Sequence, residues 1–179
     1  MRNLRRTALS LVLAVALLGA MAVPAFAANP VVSITVSAQM IAITNSEATW
    51  AIGVVAVTNT KYFSADNSQD DDYSQVENTG NVAVDIQIQG TDFEGGDYDW
   101  TLAAAAGNQT YSLHANSEGT PTVYDVEVKS SSYGNLTTGL AKDATYDWSM
   151  KFVAPDEFHV DDDGESKAAS VTLVASKAA

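Results

Sequence analysis

Asn81-Val82-Ala83-Val84-Asp85-Ile86-Gln87-Ile88-Gln89-Gly90 is the stretch that decides how the rest of this chain is read. Val82, Val84, Ile86 and Ile88 share one parity; Asp85, Gln87 and Gln89 share the other. A period of two sends successive side chains to opposite faces of extended backbone, so this stretch predicts a strand with one apolar and one wet face. Asn78-Thr79-Gly80 before it and Gly90 at its end are turn-forming residues that bracket it. The same alternation recurs at Thr145–Phe152, where Tyr146, Trp148, Met150 and Phe152 oppose Asp147, Ser149 and Lys151. Tyr124, Val126 and Val128 alternate with Asp125, Glu127 and Lys129. Val32, Ile34 and Val36 alternate with Ser33, Thr35 and Ser37, and Val171, Leu173 and Ala175 repeat the pattern near the C-terminus. Shorter strands are expected over 40–44, 50–59, 100–105 and 110–115.

Eight to ten short strands separated by Gly, Asn, Asp, Ser and Pro predict an all-β fold. The expected architecture is an antiparallel two-sheet β-sandwich, jelly-roll or immunoglobulin-like, with its polar faces in water. The one helical turn to consider lies over 136–142. Tyr98-Asp99-Trp100-Thr101-Leu102 is echoed by Tyr146-Asp147-Trp148-Ser149-Met150. With Trp50, these tryptophans are expected to anchor one shared core, because each buries a large aromatic surface.

The first 27 residues are expected to stand outside that fold. Arg2, Arg5 and Arg6 precede an apolar run, Ala8 to Val23, whose only polar residue is Ser10; Pro24 and Ala25-Phe26-Ala27 follow. A basic start, an apolar middle and a small–x–small end describe a secretory signal peptide. The expectation is therefore a signal over 1–27, one β-sandwich domain over 28–179, and a secreted or cell-surface location with no membrane association after cleavage. The whole chain has 179 residues, no cysteine and a net charge of −13; residues 28–179 keep all 22 acids but only six lysines, a net charge of −16 with no arginine. Such a surface repels phosphate backbones and anionic lipid, which argues against nucleic-acid partners.

Three acid-rich stretches invite a metal reading: Asp66–Asp72, Asp92–Asp99 and Asp161–Glu165. Calcium takes six to eight oxygen ligands, and acidic loops containing glycine can supply them. Asp92, Glu94, Asp97, Asp99, Asp161, Asp163 and Glu165 are the candidate calcium ligands. They do not form an EF-hand: aligning Gly164 with the loop glycine puts His159 first and Ser170 last, neither of them an acid. His114 and His159 are the only histidines, too few for a structural zinc centre. There is no Gly-x-Ser-x-Gly elbow, phosphate loop or dinucleotide fingerprint, so no catalytic or organic-cofactor residues are assigned and the chain is not expected to be an enzyme. Asn108-Gln109-Thr110 and Asn135-Leu136-Thr137 are glycosylation sequons.

Val76-Glu77-Asn78-Thr79-Gly80-Asn81-Val82-Ala83-Val84-Asp85-Ile86 resembles a phrase of secreted immunoglobulin-like and jelly-roll modules from bacterial and archaeal cell surfaces. The signal, the single domain and the alternating C-terminal strand are also similar to TasA/camelysin-type fibre subunits. That resemblance implies jelly rolls that polymerise by donating an N-terminal strand to a neighbour. The residues support assembly on separate grounds, since a terminal apolar strand can complete another molecule's sheet edge. The function expected is a non-enzymatic structural or adhesive protein of the cell surface or matrix, a homo-oligomer or fibre. The alternative is a module that binds glycan or a surface protein, with Tyr62, Phe63, Tyr73, Phe93, Tyr98 and Tyr133 as its platform and calcium as its aid.

Overall fold

The structure, a computed structural model, describes residues 35–63, 73–116, 123–162 and 164–179. The signal sequence, Val32 and Ile34, the acidic stretch 66–72, and Asp163 lie outside the described residues. Ala38–Ala179 forms one compact unit; residues up to Ser37 belong to another, of which Thr35, Val36 and Ser37 are exposed.

The compact unit is all-β, built from sheets packed as in a sandwich. The described residues hold eleven strands: β1 (Ile43–Asn45), β2 (Thr60–Tyr62), β3 (Ser74–Asn78), β4 (Val84–Gly90), β5 (Thr101–Leu102), β6 (Thr110–Ala115), β7 (Val126–Glu127), β8 (Gly134–Leu140), β9 (Thr145–Trp148), β10 (Met150–Val153) and β11 (Val171–Lys177). They are arranged as three sheets. One has the order β1-β3-β9, a second β2-β10-β6-β5 with β7 also on β6, and a third β11-β4-β8. All pairings are antiparallel except the short β5–β6 pair.

The deciding stretch behaves as its period requires. Val84, Ile86 and Ile88 are fully buried, while Asp85, Gln87 and Gln89 between them are partly exposed. The three buried side chains contribute roughly 1.5–3 kcal/mol each by leaving water. β6 forms where a shorter strand is expected, and β11 where the alternation predicts it.

Thr145–Phe152 differs in an informative way. It keeps its alternation, with Trp148, Met150 and Phe152 buried, but it divides at Ser149. β9 pairs with β3 in the first sheet, and β10 pairs with β6 and β2 in the second. Ser149 is itself buried. Its amide donates to Asn116 Oδ1 (2.7 Å) and its hydroxyl to the Phe63 carbonyl (3.2 Å), so the chain changes sheets without orphaning polar groups. This division helps take the count past the expected eight to ten strands, and three sheets stand where two were expected.

Three other expectations are corrected. Residues 50–59 form no strand; pairing begins only at Thr60. Leu136–Lys142 holds no helical turn, because 134–140 is β8. Around Tyr124–Lys129 only Val126 and Glu127 pair as β7, although Val128 is buried.

The turn before β4 has a physical reason for its composition. Asn78 is fully buried. Its Nδ2 donates to the carbonyls of Val82 (2.8 Å) and Leu140 (2.9 Å), and its Oδ1 accepts from the Gly80 amide (3.0 Å). Its backbone amide reaches the Ala144 carbonyl, and its own carbonyl accepts from Asp143. The side chain thus ties the end of β3 to the turn before β4 and to the end of β8, and the backbone of the same residue ties it to the β8–β9 connection. A Cβ on Gly80 would lie 2.5 Å from the Met40 carbonyl oxygen, so only glycine lets the segment before β1 approach.

Asn78→Ala is expected to destabilise the domain by about 3 kcal/mol, since the buried bond to Leu140 and the part-buried bond to Val82 are lost, at roughly 1–3 kcal/mol for each carbonyl left without its donor. Chemical denaturation with unchanged m-value checks it.

Candidate functional site

The sheets do not close on one another everywhere. A cleft of about 1240 Å³ opens between β11 and the sheet of β10 and β6. Tyr111 and Leu113 from β6 and Met150 and Phe152 from β10 line it; Val171 and Leu173 of β11 form one rim. The strandless run Glu47–Val55 and the loop residues Asp162, Gly164–Lys167, Ala169 and Ser170 line it as well.

Aromatic rings dominate the walls. Phe93 packs against Tyr111 (centroids 4.6 Å apart) and edge-on against Phe152 (5.9 Å). Trp100 lies parallel to Phe158 at 5.0 Å, and Phe63 joins Trp50 to Trp148. The tryptophans do share this core, but unequally: Trp148 is 3% exposed, whereas Trp50 and Trp100 are partly buried and face the cleft. The two indoles of the echoed motif each donate to an acid or amide: Trp148 Nε1 to Asn45 Oδ1 (2.9 Å), Trp100 Nε1 to Asp162 Oδ2 (2.8 Å). Tyr111 donates its hydroxyl to the Thr91 carbonyl; burial, and secondarily the Asp92 charge, push its pKa well up.

A buried ion pair stands among the residues that line the cleft. Lys167 Nζ sits 2.8 Å from Asp162 Oδ1, with the side chains only 5% and 2% exposed. The same ammonium donates to the carbonyls of Gly95 (3.0 Å) and Tyr98 and lies 5.6 Å from the centre of the Trp100 ring. The cluster joins loop 95–100 to loop 162–167. Burial by itself would raise the Asp162 pKa. The hydrogen bonds from Lys167 and Trp100, with the lysine charge, outweigh it and hold the carboxyl below its ordinary value.

The candidate calcium ligands are spread through this region. Asp92 Oδ1 accepts from the Leu102 amide (2.7 Å) and Glu165 Oε2 from the Asp97 amide (2.7 Å), which spends both on loop structure. Glu94, Asp97, Asp99 and Asp161 are exposed, and Asp161 Oδ2 lies 3.7 Å from His159 Nδ1. Among the described residues no three His, Asp or Glu side chains gather as cation ligands; Asp163 lies outside them. Sequence reasoning passed over Asp162, although Lys167, an isolated lysine just beyond an acidic run, was the available signal.

The proposed aromatic platform is divided. Phe63 (8% exposed) and Phe93 belong to the core, Tyr62 rests against Tyr124, Tyr73 is half-buried, and Tyr98 stacks on His159 at 3.6 Å; Tyr133 is 47% exposed.

The two outer edges of the sheet β11-β4-β8 differ. β8 meets β4 with two register shifts, and Gly139 takes a φ of +66° while its amide donates to Asp85 Oδ1 (2.8 Å). Such irregularity blunts an edge. β11 pairs with β4 in unbroken register from Val171↔Gly90 to Lys177↔Val84, and among the described residues no strand lies on its other side.

Comparison with protein-family models and with curated proteins finds no match.

Asp162→Asn is expected to cost about 3–5 kcal/mol, because it leaves the Lys167 charge buried without its partner. Adding Lys167→Met should restore part of that loss. The folded-state pKa of Asp162 is depressed, so its contribution is complete above the unfolded value and is lost as pH falls through the folded one. Stability measured from neutral pH into the acid range should accordingly fall less steeply for Asp162→Asn than for the parent.

Proposed function

We propose that this chain is an exported, non-enzymatic structural component of a cell surface or extracellular matrix, whose copies join through the N-terminal strand. The observation that carries the reading is the combination of an exposed N-terminal arm with an apolar cleft left open in the domain.

The arm is anchored at one point. The Thr79 and Gly80 amides donate to the Ala42 carbonyl, and the Asn81 amide to that of Met40. The Asn81 side chain accepts from the Met40 amide (2.7 Å) and donates to the Ala38 carbonyl (2.8 Å). Thr35 to Met40 are exposed and form no strand; Val36, beyond the clamp, is 84% exposed and Met40, within it, 54%. Apolar side chains held in water at the end of a chain favour association. The alternation Val32-x-Ile34-x-Val36 is that of a strand with one apolar face.

Charge sets the conditions. Identical subunits carrying −16 each repel, and salt shortens the range of that repulsion, to about 10 Å at 0.1 M. Assembly should therefore speed up with ionic strength, and divalent cations should act as screening ions even without a dedicated site. Light scattering across a salt series checks this, and a rate that falls with added salt would contradict it.

A glycan- or protein-binding module would rely on the rings left near the surface, chiefly Tyr98 and Tyr133. No observation favours it over assembly.

The direct test is electron microscopy of the secreted chain and of Ile34→Asp, which places a charge on the apolar face of the arm. Filaments or oligomers are expected from the parent and monomers from the variant. A parent that stays monomeric at every salt concentration would remove the self-assembly reading.

A further inference from the structure

We infer that the loops around Gly95 and Asp162 build a cation site whose occupant is the chain's own Lys167, and that the site selects a primary ammonium over calcium. The inference does not rest on self-assembly.

Three observations carry it. The first is the match between donors and acceptors. A lysine ammonium has three N–H donors and no acceptor. Three oxygens among the described residues meet Lys167 Nζ: the Gly95 carbonyl (3.0 Å), the Tyr98 carbonyl and Asp162 Oδ1 (2.8 Å). The Trp100 ring, its centre 5.6 Å away, adds an electron-rich face. A lysine side chain only 5% exposed is uncommon, and here every N–H has an oxygen to bond.

The second is the charge and number of those oxygens. Calcium takes six to eight oxygens, commonly from several carboxylates. This set has three, of which one is anionic. Asp92 and Glu165 accept instead from the backbone amides of Leu102 and Asp97. Glu94, Asp97, Asp99 and Asp161 are exposed. One carboxylate balances one ammonium; a divalent ion there would keep an uncompensated charge away from water, which is costly.

The third is that the backbone is shaped around the lysine. Glu94 and Ala168 exchange both backbone hydrogen bonds (2.9 and 2.8 Å), which pins one loop on the other. Gly95 and Gly96 follow with φ of +122° and +74°. A Cβ on Gly95 would lie 2.6 Å from the Ser166 carbonyl oxygen, and one on Gly96 1.8 Å from Glu165 Oε2. Two glycines in the left-handed region thus let the loop wrap residues 165–167 and turn the Gly95 and Tyr98 carbonyls onto the ammonium.

A metal that closes two loops is lost to a chelator, and the loops open with it. Lys167 is tied to the chain and stays. The junction therefore holds whatever the calcium concentration around the molecule.

The test exploits the shape that the lysine leaves behind. Lys167→Ala removes the three methylenes and the ammonium, the outline of n-propylammonium. Thermal unfolding of the full chain is followed at fixed ionic strength in n-propylammonium, sodium, magnesium or calcium chloride, and in EDTA. The parent should melt at one temperature in EDTA and in calcium, with no gain over magnesium. Lys167→Ala should melt lower and rise by roughly 3–6 °C, saturably, in n-propylammonium, because a ligand of the folded state alone stabilises it. If Lys167→Ala is unfolded in sodium chloride, recovery of its folding in n-propylammonium reads the same rescue. Lys167→Met, which fills the site without charge, should not respond, and neither should Lys167→Ala with Asp162→Asn. Calcium raising the parent's melting temperature beyond magnesium would overturn the inference. So would a Lys167→Ala chain that calcium restores as well as n-propylammonium does, or that n-propylammonium leaves unchanged.

Discussion

A carboxamide sealed away from water must find partners for both its oxygen and its nitrogen, and Asn78 finds them in three different parts of the chain. Its Nδ2 holds Val82 and Leu140, and its Oδ1 holds Gly80. Those contacts bring the end of β3, the start of β4 and the end of β8 to one point, where the first and third sheets meet. A buried polar group with every bond made specifies a geometry that an apolar side chain of similar size would not. The clamp on the N-terminal arm depends on the same junction. Gly80 and Asn81 can grip Ala38, Met40 and Ala42 only because Asn78 has set the turn that presents them.

Much of the fold was legible because burial in a sheet writes itself into the sequence with a period of two. β4 and β11 stand where alternation put them, and so do the inward-facing residues of Thr145–Phe152. What alternation cannot encode is the partner of each strand. The change of sheet at Ser149 preserves parity, so it leaves no trace in the pattern; it is set by Asn116, distant in sequence. Residues 50–59 misled for a related reason. Trp50, Ile52 and Val55 are apolar because they border the cleft, not because they lie in a ladder.

The candidate site was harder to read. Acid-rich runs drew attention to Asp92–Asp99 and Asp161–Glu165, and the structure does bring these two loops together. The chemistry that joins them is a lysine and an indole on Asp162, together with Glu165 capping the Asp97 amide, and these bonds leave the carboxylates facing protein donors. Composition showed the excess of acid but not which acid meets the scarce base. The cleft was invisible for a more general reason: a core residue and a cleft-lining residue are equally apolar in sequence, and only the spacing of the sheets separates Phe93 from an ordinary interior ring.

The run from Thr145 to Val153 belongs to two sheets at once. A load applied to either sheet is therefore carried through covalent backbone into the other, and neither layer can peel away without dragging its neighbour. Under tension such a continuous tendon distributes stress over the ladders of β3, β6 and β2 together, and rupture requires them to yield in concert.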